Sequence, residues 1–222
     1  MSSFQPLALL ILFLVPPMVQ AQPAPGGHQK KWLVGLSVGT FTFDGAAKGR
    51  SDTGEPLTFV PHRPTMSGLL IGFGGERSRL TLSVRTGQAG LRLRGVPSAE
   101  VAEAEAPAPG IVLIFEDAFA LGEFTVSASR VLTRLKGGPA LRPSLGVTLQ
   151  RWSAPDMPAR SVWGGQAGLG LEMQVIGSWV ASFEVEAAYT SDSPFRRQDL
   201  PEGFAIRSTW RRSLAVAVGW RF

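Results

Sequence analysis

The 222-residue chain has no cysteine, two histidines and one tyrosine, and only 18% of its residues are charged. Without cysteine there is no disulfide to staple a small exported fold and no thiol for lipid acylation, so stability must come from packing or from a membrane. The same scarcity excludes Cys/His metal spacings, and no phosphate-cradling glycine loop or nucleophile elbow is present, so no cofactor or metal is expected. Gly164, Gly165, Gly168 and Gly170 follow strand packing rather than a strand-to-helix turn. Long apolar runs are missing too: Leu7 to Val15 (LALLILFLV) falls far short of the roughly 20 residues a membrane-spanning helix needs. The net charge of +5 comes from Lys and Arg scattered among Asp and Glu, with no basic helix and no aromatic RNA-binding motif. Nucleic acid is therefore not an expected partner.

What the short apolar run does fit is the core of a secretory signal peptide over residues 1–21, closed by the small-residue pattern Val19-Gln20-Ala21. Its start, MSSFQ, has no Lys or Arg, leaving the amino terminus as the positive charge. Residues 22–30 read as a disordered Pro/Gly linker, and residues 31–222 as one domain.

From Lys31 onward the apolar pattern has period two nearly everywhere, the signature of strands with one greasy face. Trp32, Val34, Leu36 and Val38 alternate with Gly35, Ser37 and Gly39; Leu69, Ile71 and Phe73 with Gly68, Gly72 and Gly74; Leu80, Leu82 and Val84 with Arg79, Thr81, Ser83 and Arg85. Phe124 and Val126 oppose Thr125 and Ser127; Leu145, Val147 and Leu149 oppose Ser144, Gly146, Thr148 and Gln150. Leu169, Leu171 and Met173 oppose Gly168, Gly170 and Glu172, and Phe183, Val185 and Ala187 oppose Ser182, Glu184 and Glu186. In the last strand, Leu214, Val216, Val218, Trp220 and Phe222 alternate with Ala215, Ala217, Gly219 and Arg221. A soluble barrel hides its large apolar residues, but here the other face has too little apolar volume for a core. It suits the narrow lumen of an eight-stranded barrel whose greasy face meets lipid.

Connections are expected to alternate between short turns and longer loops: long over 44–65, short over 75–77, long over 95–122, short over 136–140, medium over 153–159, short over 175–178, long over 191–206. This is the habit of outer-membrane barrels. It puts both termini on the periplasmic side. Ile111 to Leu121 (IVLIFEDAFAL) is read as an extension of the fourth strand or a folded part of the second loop, with a bulge near Gly122; ten strands is the alternative count. Trp32, Trp152, Trp163, Trp179, Tyr189, Trp210, Trp220 and Phe222 fit interfacial girdles.

A strand of this kind ending on Phe222 resembles the closing strand of bacterial outer-membrane β-barrels, and residues 31–222 resemble the small barrels of the OmpA and OmpX type. The resemblance implies an all-β transmembrane antiparallel up-and-down barrel in the outer membrane, with outer-membrane lipid and lipopolysaccharide around it. It also implies reading by the barrel assembly machinery, with Trp220 and Phe222 as the assembly signal. The oligomeric expectation is a monomer.

Inward positions carry Arg79, Arg85, Glu172, Glu184, Glu186 and Arg221, which must pair because an unpaired charge in a low-dielectric tube is expensive. A structural plug is expected rather than a charge gate. The outer rim is rich in arginine, at Arg63, Arg92, Arg94, Arg151, Arg160, Arg196, Arg197, Arg207, Arg211 and Arg212. Guanidinium groups bind phosphate bidentately, which makes Arg151, Arg160, Arg196, Arg197 and Arg212 candidates for contact with lipopolysaccharide. The second loop carries Glu100, Glu103 and Glu105. Chemistry for catalysis is thin: His28 lies in the linker, and His62 has only Ser67, Asp52 and Glu55 nearby in sequence. The expected function is a non-enzymatic barrel with a charge-plugged lumen that supports envelope integrity or presents loops to partners. The alternatives are a narrow porin-like channel for small or hydrophobic solutes and a lipid A-modifying enzyme.

Overall fold

The computed structural model describes residues 32–44, 46–50, 56–95, 112–135, 138–154, 157–200 and 202–222. The expected signal segment, the linker and the acidic stretch with Glu100, Glu103 and Glu105 lie outside the described residues.

Eight long strands follow one another: β1 (Trp32–Asp44), β2 (Pro56–Gly74), β3 (Ser78–Gly95), β4 (Val112–Arg130), β5 (Ala140–Ala154), β6 (Met157–Ile176), β7 (Trp179–Thr190) and β8 (Thr209–Arg221). Each pairs antiparallel with its neighbours in sequence. β8 returns to β1 from Leu33↔Arg221 to Asp44↔Trp210. The sheet is a closed eight-stranded barrel, and the count of ten is not realised. Closure is what satisfies the backbone of both terminal strands: Trp32 and Phe222 exchange N–H···O bonds of 3.1 and 3.0 Å at the seam.

The alternation in sequence becomes the two surfaces of the wall. Along β1 exposure alternates without a break, and Leu36, Val38, Leu69, Val84, Leu169, Val185, Val216 and Val218 all point outward. An outside this apolar is the inverse of a soluble protein. Trp210 and Trp220 both face out on β8. Ten residues at about 3.3 Å, on strands tilted about 40°, put them roughly 25 Å apart along the axis, which is the height of an apolar band in an outer-membrane barrel. Aromatic pairs mark its two borders: Trp179–Trp220 (5.1 Å) and Trp32–Phe73 (4.9 Å) at one, Tyr189–Trp210 (5.0 Å) at the other.

One end of the barrel carries the start of β1, the end of β8 and the turns after β2, β4 and β6; we call it the turn end. The β6–β7 connection is a two-residue turn in which Gly177 adopts φ +53, a left-handed conformation that favours glycine. At the opposite, loop end, β2, β3, β4 and β6 continue well past the aromatic border. Small pairings extend the wall there: Ala47–Arg50 lies against the start of β2, and Ala205–Ile206 lies against Ala47–Lys48. At the turn end, Thr133–Arg134 pairs with the start of β5.

Three expectations need correction. The alternation of connection lengths is not strict, because β5 and β6 run on until only residues 155–156 separate them; an apolar interior above the border gives the extended strands something to pack on. Residues from Val112 on extend β4, the first of the two readings of that stretch, but no bulge occurs at Gly122, where inward and outward positions keep alternating. The irregularity lies between Ala89 and Leu91, opposite the segment between Phe119 and Phe115, and it turns Phe115 outward while Phe119 is buried. Trp152 is not a girdle residue: it is 2% exposed and faces the interior, as its parity with Thr148 and Gln150 requires.

The outward face makes a direct prediction. Val216 sits midway between Trp210 and Trp220, so Val216→Arg should lower the unfolding free energy in lipid vesicles by about 2–4 kcal/mol, measured by urea titration, while Val216→Leu should leave it nearly unchanged.

Candidate functional site

The interior is organised in layers, and the inward positions of the strands set their heights. Near the turn end, Arg79 from β3 donates to Glu172 from β6 at 2.5 Å, and Arg221 from β8 donates to the same carboxylate at 2.8 Å. Arg142 from β5 stands 3.5 Å from it and also donates to the carbonyl of Glu76 at 2.6 Å. Three guanidinium groups thus converge on one buried carboxylate.

A second tier lies toward the loop end. Arg85, six residues further along β3 and so about 15 Å higher, donates to Glu186 at 2.8 Å and lies 3.7 Å from Glu123 and 3.8 Å from Glu184. Arg211 contacts Glu123 directly, with both side chains essentially without solvent exposure, and donates to Gln166 at 3.3 Å. Gln150 donates to Glu123 at 3.4 Å, Ser213 to Glu186 at 3.1 Å, and Ser182 to Glu184 at 3.1 Å. Buried charges persist only when paired and hydrogen-bonded in this way. A cavity of about 60 Å³ between the tiers is lined by Ser83, Ser127, Ser129 and Ser144, room for a few waters.

Above the second tier the lumen becomes apolar. Phe41 turns its ring face to the guanidinium groups of Arg211 (5.0 Å to the ring centroid) and Arg85 (6.0 Å). Over it pack Phe43, Val60, Met66, Ala89, Phe119, Leu121, Trp152 and Val162. Phe119 stands edge-on to Trp152 at 6.2 Å, Phe43 to Trp152 at 5.2 Å, and Phe195 to Phe119 at 5.6 Å. Phe195 comes from the β7–β8 connection, which is drawn inward. The wholly buried Ser193 hydroxyl donates to the Ala46 carbonyl at 2.8 Å and accepts the Phe195 N–H at 3.1 Å. Arg160 secures the same segment through Asp192 (2.5 Å) and the Phe195 carbonyl.

The structure brings all six sequence-predicted lumen residues inside: Arg79, Glu172 and Arg221 in one tier, and Arg85, Glu184 and Glu186 in the other. It adds Arg142, Glu123 and Arg211. Arg211 was expected on the outer rim and is instead 1% exposed in the lumen. The signal was available, since Arg211 shares the parity of Arg221, Ser213 and Ala215, and Glu123 that of Thr125. Of the rim candidates, Arg151 and Arg197 are exposed, Arg212 is exposed and bonded to Asp44 at 3.1 Å, Arg196 donates to the Ala159 carbonyl at 3.5 Å, and Arg160 is occupied with the loop. Trp220 and Phe222 both face outward at the turn end. His62 lies on β2 and Ser67 faces outward further along it, so the two are not assembled into a site; Asp52, Glu55 and His28 lie outside the described residues. Among the described residues, no group of three His, Cys, Asp or Glu could hold a metal.

No family model matches the chain. No curated protein sequence matches it either. Solved structures do. The chain is similar to Neisserial surface protein A, at 10% identity over 86% of this chain and 97% of that one, with a TM-score of 0.53. It is similar to the outer membrane protein OprG of Pseudomonas aeruginosa, at 12% identity over 88% and 98% with a TM-score of 0.52. It is also similar to the outer membrane protein AlkL, solved in lipid bilayers, at 13% identity over 92% and 97% with a TM-score of 0.52. At such identities the likeness is one of architecture: this chain has the fold of the small outer-membrane β-barrels.

The loop-end tier predicts a strong coupling. Glu123→Ala leaves Arg211 and Arg85 short of a buried partner and should destabilise the barrel by about 3–5 kcal/mol. The double variant Glu123→Ala/Arg211→Ala should cost clearly less than the sum of the two single changes, as read by a double-mutant cycle in urea.

Proposed function

We propose that the chain is a non-enzymatic protein of the bacterial outer membrane, a sealed barrel that supports the envelope and holds its loop end outward toward partners. The observation that carries this reading is the stacking of three obstructions in one lumen: the Arg79–Glu172–Arg221 cluster, the Arg85–Glu123–Arg211–Glu186 network, and the apolar cap of Phe41, Phe119, Trp152 and Phe195. A channel needs a continuous hydrated path, and ion pairs with fully buried partners beneath an apolar aromatic layer oppose one. The cap is also a structural device, since it lets strands longer than the apolar band keep a core beyond it and so display loops from a rigid rim.

Further parts of the reading follow from placement. Trp220 and Phe222 stand as an outward-facing aromatic pair at the closing seam, where an assembly factor would read them. Arg151, Arg197 and Arg212 are exposed and would meet phosphate groups of lipopolysaccharide. A closed sheet leaves no free strand edge to recruit a second copy, which favours a monomer.

Conductance in planar bilayers tests the sealed lumen. The unaltered protein should give no discrete channels. Glu172→Ala should also stay silent, because the upper network and the cap remain. Openings are expected only when all three are breached, as in Glu172→Ala/Arg211→Ala/Trp152→Ala. Discrete openings from the unaltered barrel would overturn the reading.

A further inference from the structure

The turn end is short of acid. Among the described residues it gathers Arg77, Arg79, Arg130, Arg134, Arg142 and Arg221 around two carboxylates, Glu76 and Glu172. Glu172 is taken up inside the lumen by Arg79, Arg142 and Arg221. Glu76 is committed to Arg134 at 2.9 Å, with Arg221 at 3.8 Å. No acidic side chain is left for Arg77 and Arg130, which are both exposed.

Those two arginines do not point to separate regions of surface. The N–H of Val131 donates to the Arg77 carbonyl at 2.7 Å and ties the β2–β3 turn to the β4–β5 connection. Between the two segments lies an open recess of about 470 Å³ lined by Glu76, Arg77, Arg130, Val131 and Arg134. Three guanidinium groups against one carboxylate give it a surplus of positive charge, and guanidinium forks match the oxygens of a phosphate.

The position of the recess identifies the source of the phosphate. Arg130 pairs with Ser78 just below Ala128↔Leu80, and Leu80 pairs with Phe73, so the recess lies directly beneath the lipid-facing wall at its aromatic border. On the wall above it Leu80 and Phe73 are 47% and 46% exposed. A free anion has no use for an apolar wall above it, whereas a phospholipid presents a phosphate at this depth and acyl chains against that wall. We infer that the recess between the β2–β3 and β4–β5 connections binds the headgroup of an anionic phospholipid in the leaflet facing the turn end, with Arg77, Arg130 and Arg134 on the phosphate and the lipid-facing Leu80 and Phe73 above against its chains. The inference rests on the reading of the chain as an outer-membrane barrel.

The test uses the full chain inserted into phosphatidylcholine vesicles containing a minority of phosphatidylglycerol. After extraction into mild detergent, retained lipid is identified by native mass spectrometry. Phosphatidylglycerol should be retained several-fold above its share. Arg77→Gln/Arg130→Gln/Arg134→Gln should abolish that several-fold preference and return the retained lipid to its bulk ratio, since each basic group near the surface contributes appreciably. Glu76→Gln, which frees Arg134, should raise it, and added inorganic phosphate should not displace the lipid. Retention of the two lipids in their bulk ratio by the unaltered chain, a preference that survives the triple change, or displacement by inorganic phosphate alone each overturns the lipid site. A chain that inserts and stays silent in conductance, yet shows no lipid preference, loses this inference alone; a chain that does not insert loses the barrel reading with it.

Discussion

Backbone hydrogen bonding in a medium without water is the constraint from which the rest of this structure follows. A strand whose outer face meets hydrocarbon can satisfy its N–H and C=O groups only from the strands beside it, so the sheet has to close. Here it closes between β1 and β8 through a ladder running from Leu33↔Arg221 to Asp44↔Trp210. Closure fixes which way each residue faces: once Val216 and Val218 look outward, Ser213, Ala215 and Ala217 look inward.

Closing eight strands leaves a tube too narrow for anything except side chains, and the chain fills it in two different ways. Where the wall is surrounded by lipid the interior is polar, and charge is balanced by cross-lumen pairs such as Arg85 with Glu186. Where the wall rises beyond the aromatic border, the interior becomes an ordinary hydrophobic core built on Phe41, Phe119 and Trp152. The change occurs at Phe41, whose ring faces two guanidinium groups and whose neighbours above are apolar. A single tube therefore contains an inside-out membrane segment and a conventional soluble-type segment stacked end to end.

The two ends differ in what holds them. The loop end is closed by packing, with Phe195 and Ser193 drawn in from a connection and fastened by Arg160. The turn end is held by charge: too many arginines share too few carboxylates, and the excess sits on the outside where a negatively charged surface can reach it. Both arrangements are consistent with a barrel that is rigid along its length and presents different chemistry to its two sides.

Parity along the chain determined most of what was legible in advance. Period-two alternation is a local property of extended backbone, so the outward stripe, the number of strands and the inward charges Arg79, Arg85, Glu172, Glu184, Glu186 and Arg221 could all be read from neighbouring residues. Sequence reasoning goes wrong where residue type overrides position. Arg211 and Trp152 keep the parity of the inward residues next to them, whereas residue type alone puts them on the rim and in the girdle; Glu123 keeps the parity of Thr125 and is not singled out. What only the tertiary structure decided is which inward groups meet. Arg79 reaches Glu172, and Arg211 reaches Glu123, across distances in sequence that depend on strand tilt and register around the whole barrel. The apolar cap is of the same kind: its residues come from β1 to β6 and one folded connection, and no local pattern specifies that they converge at one height.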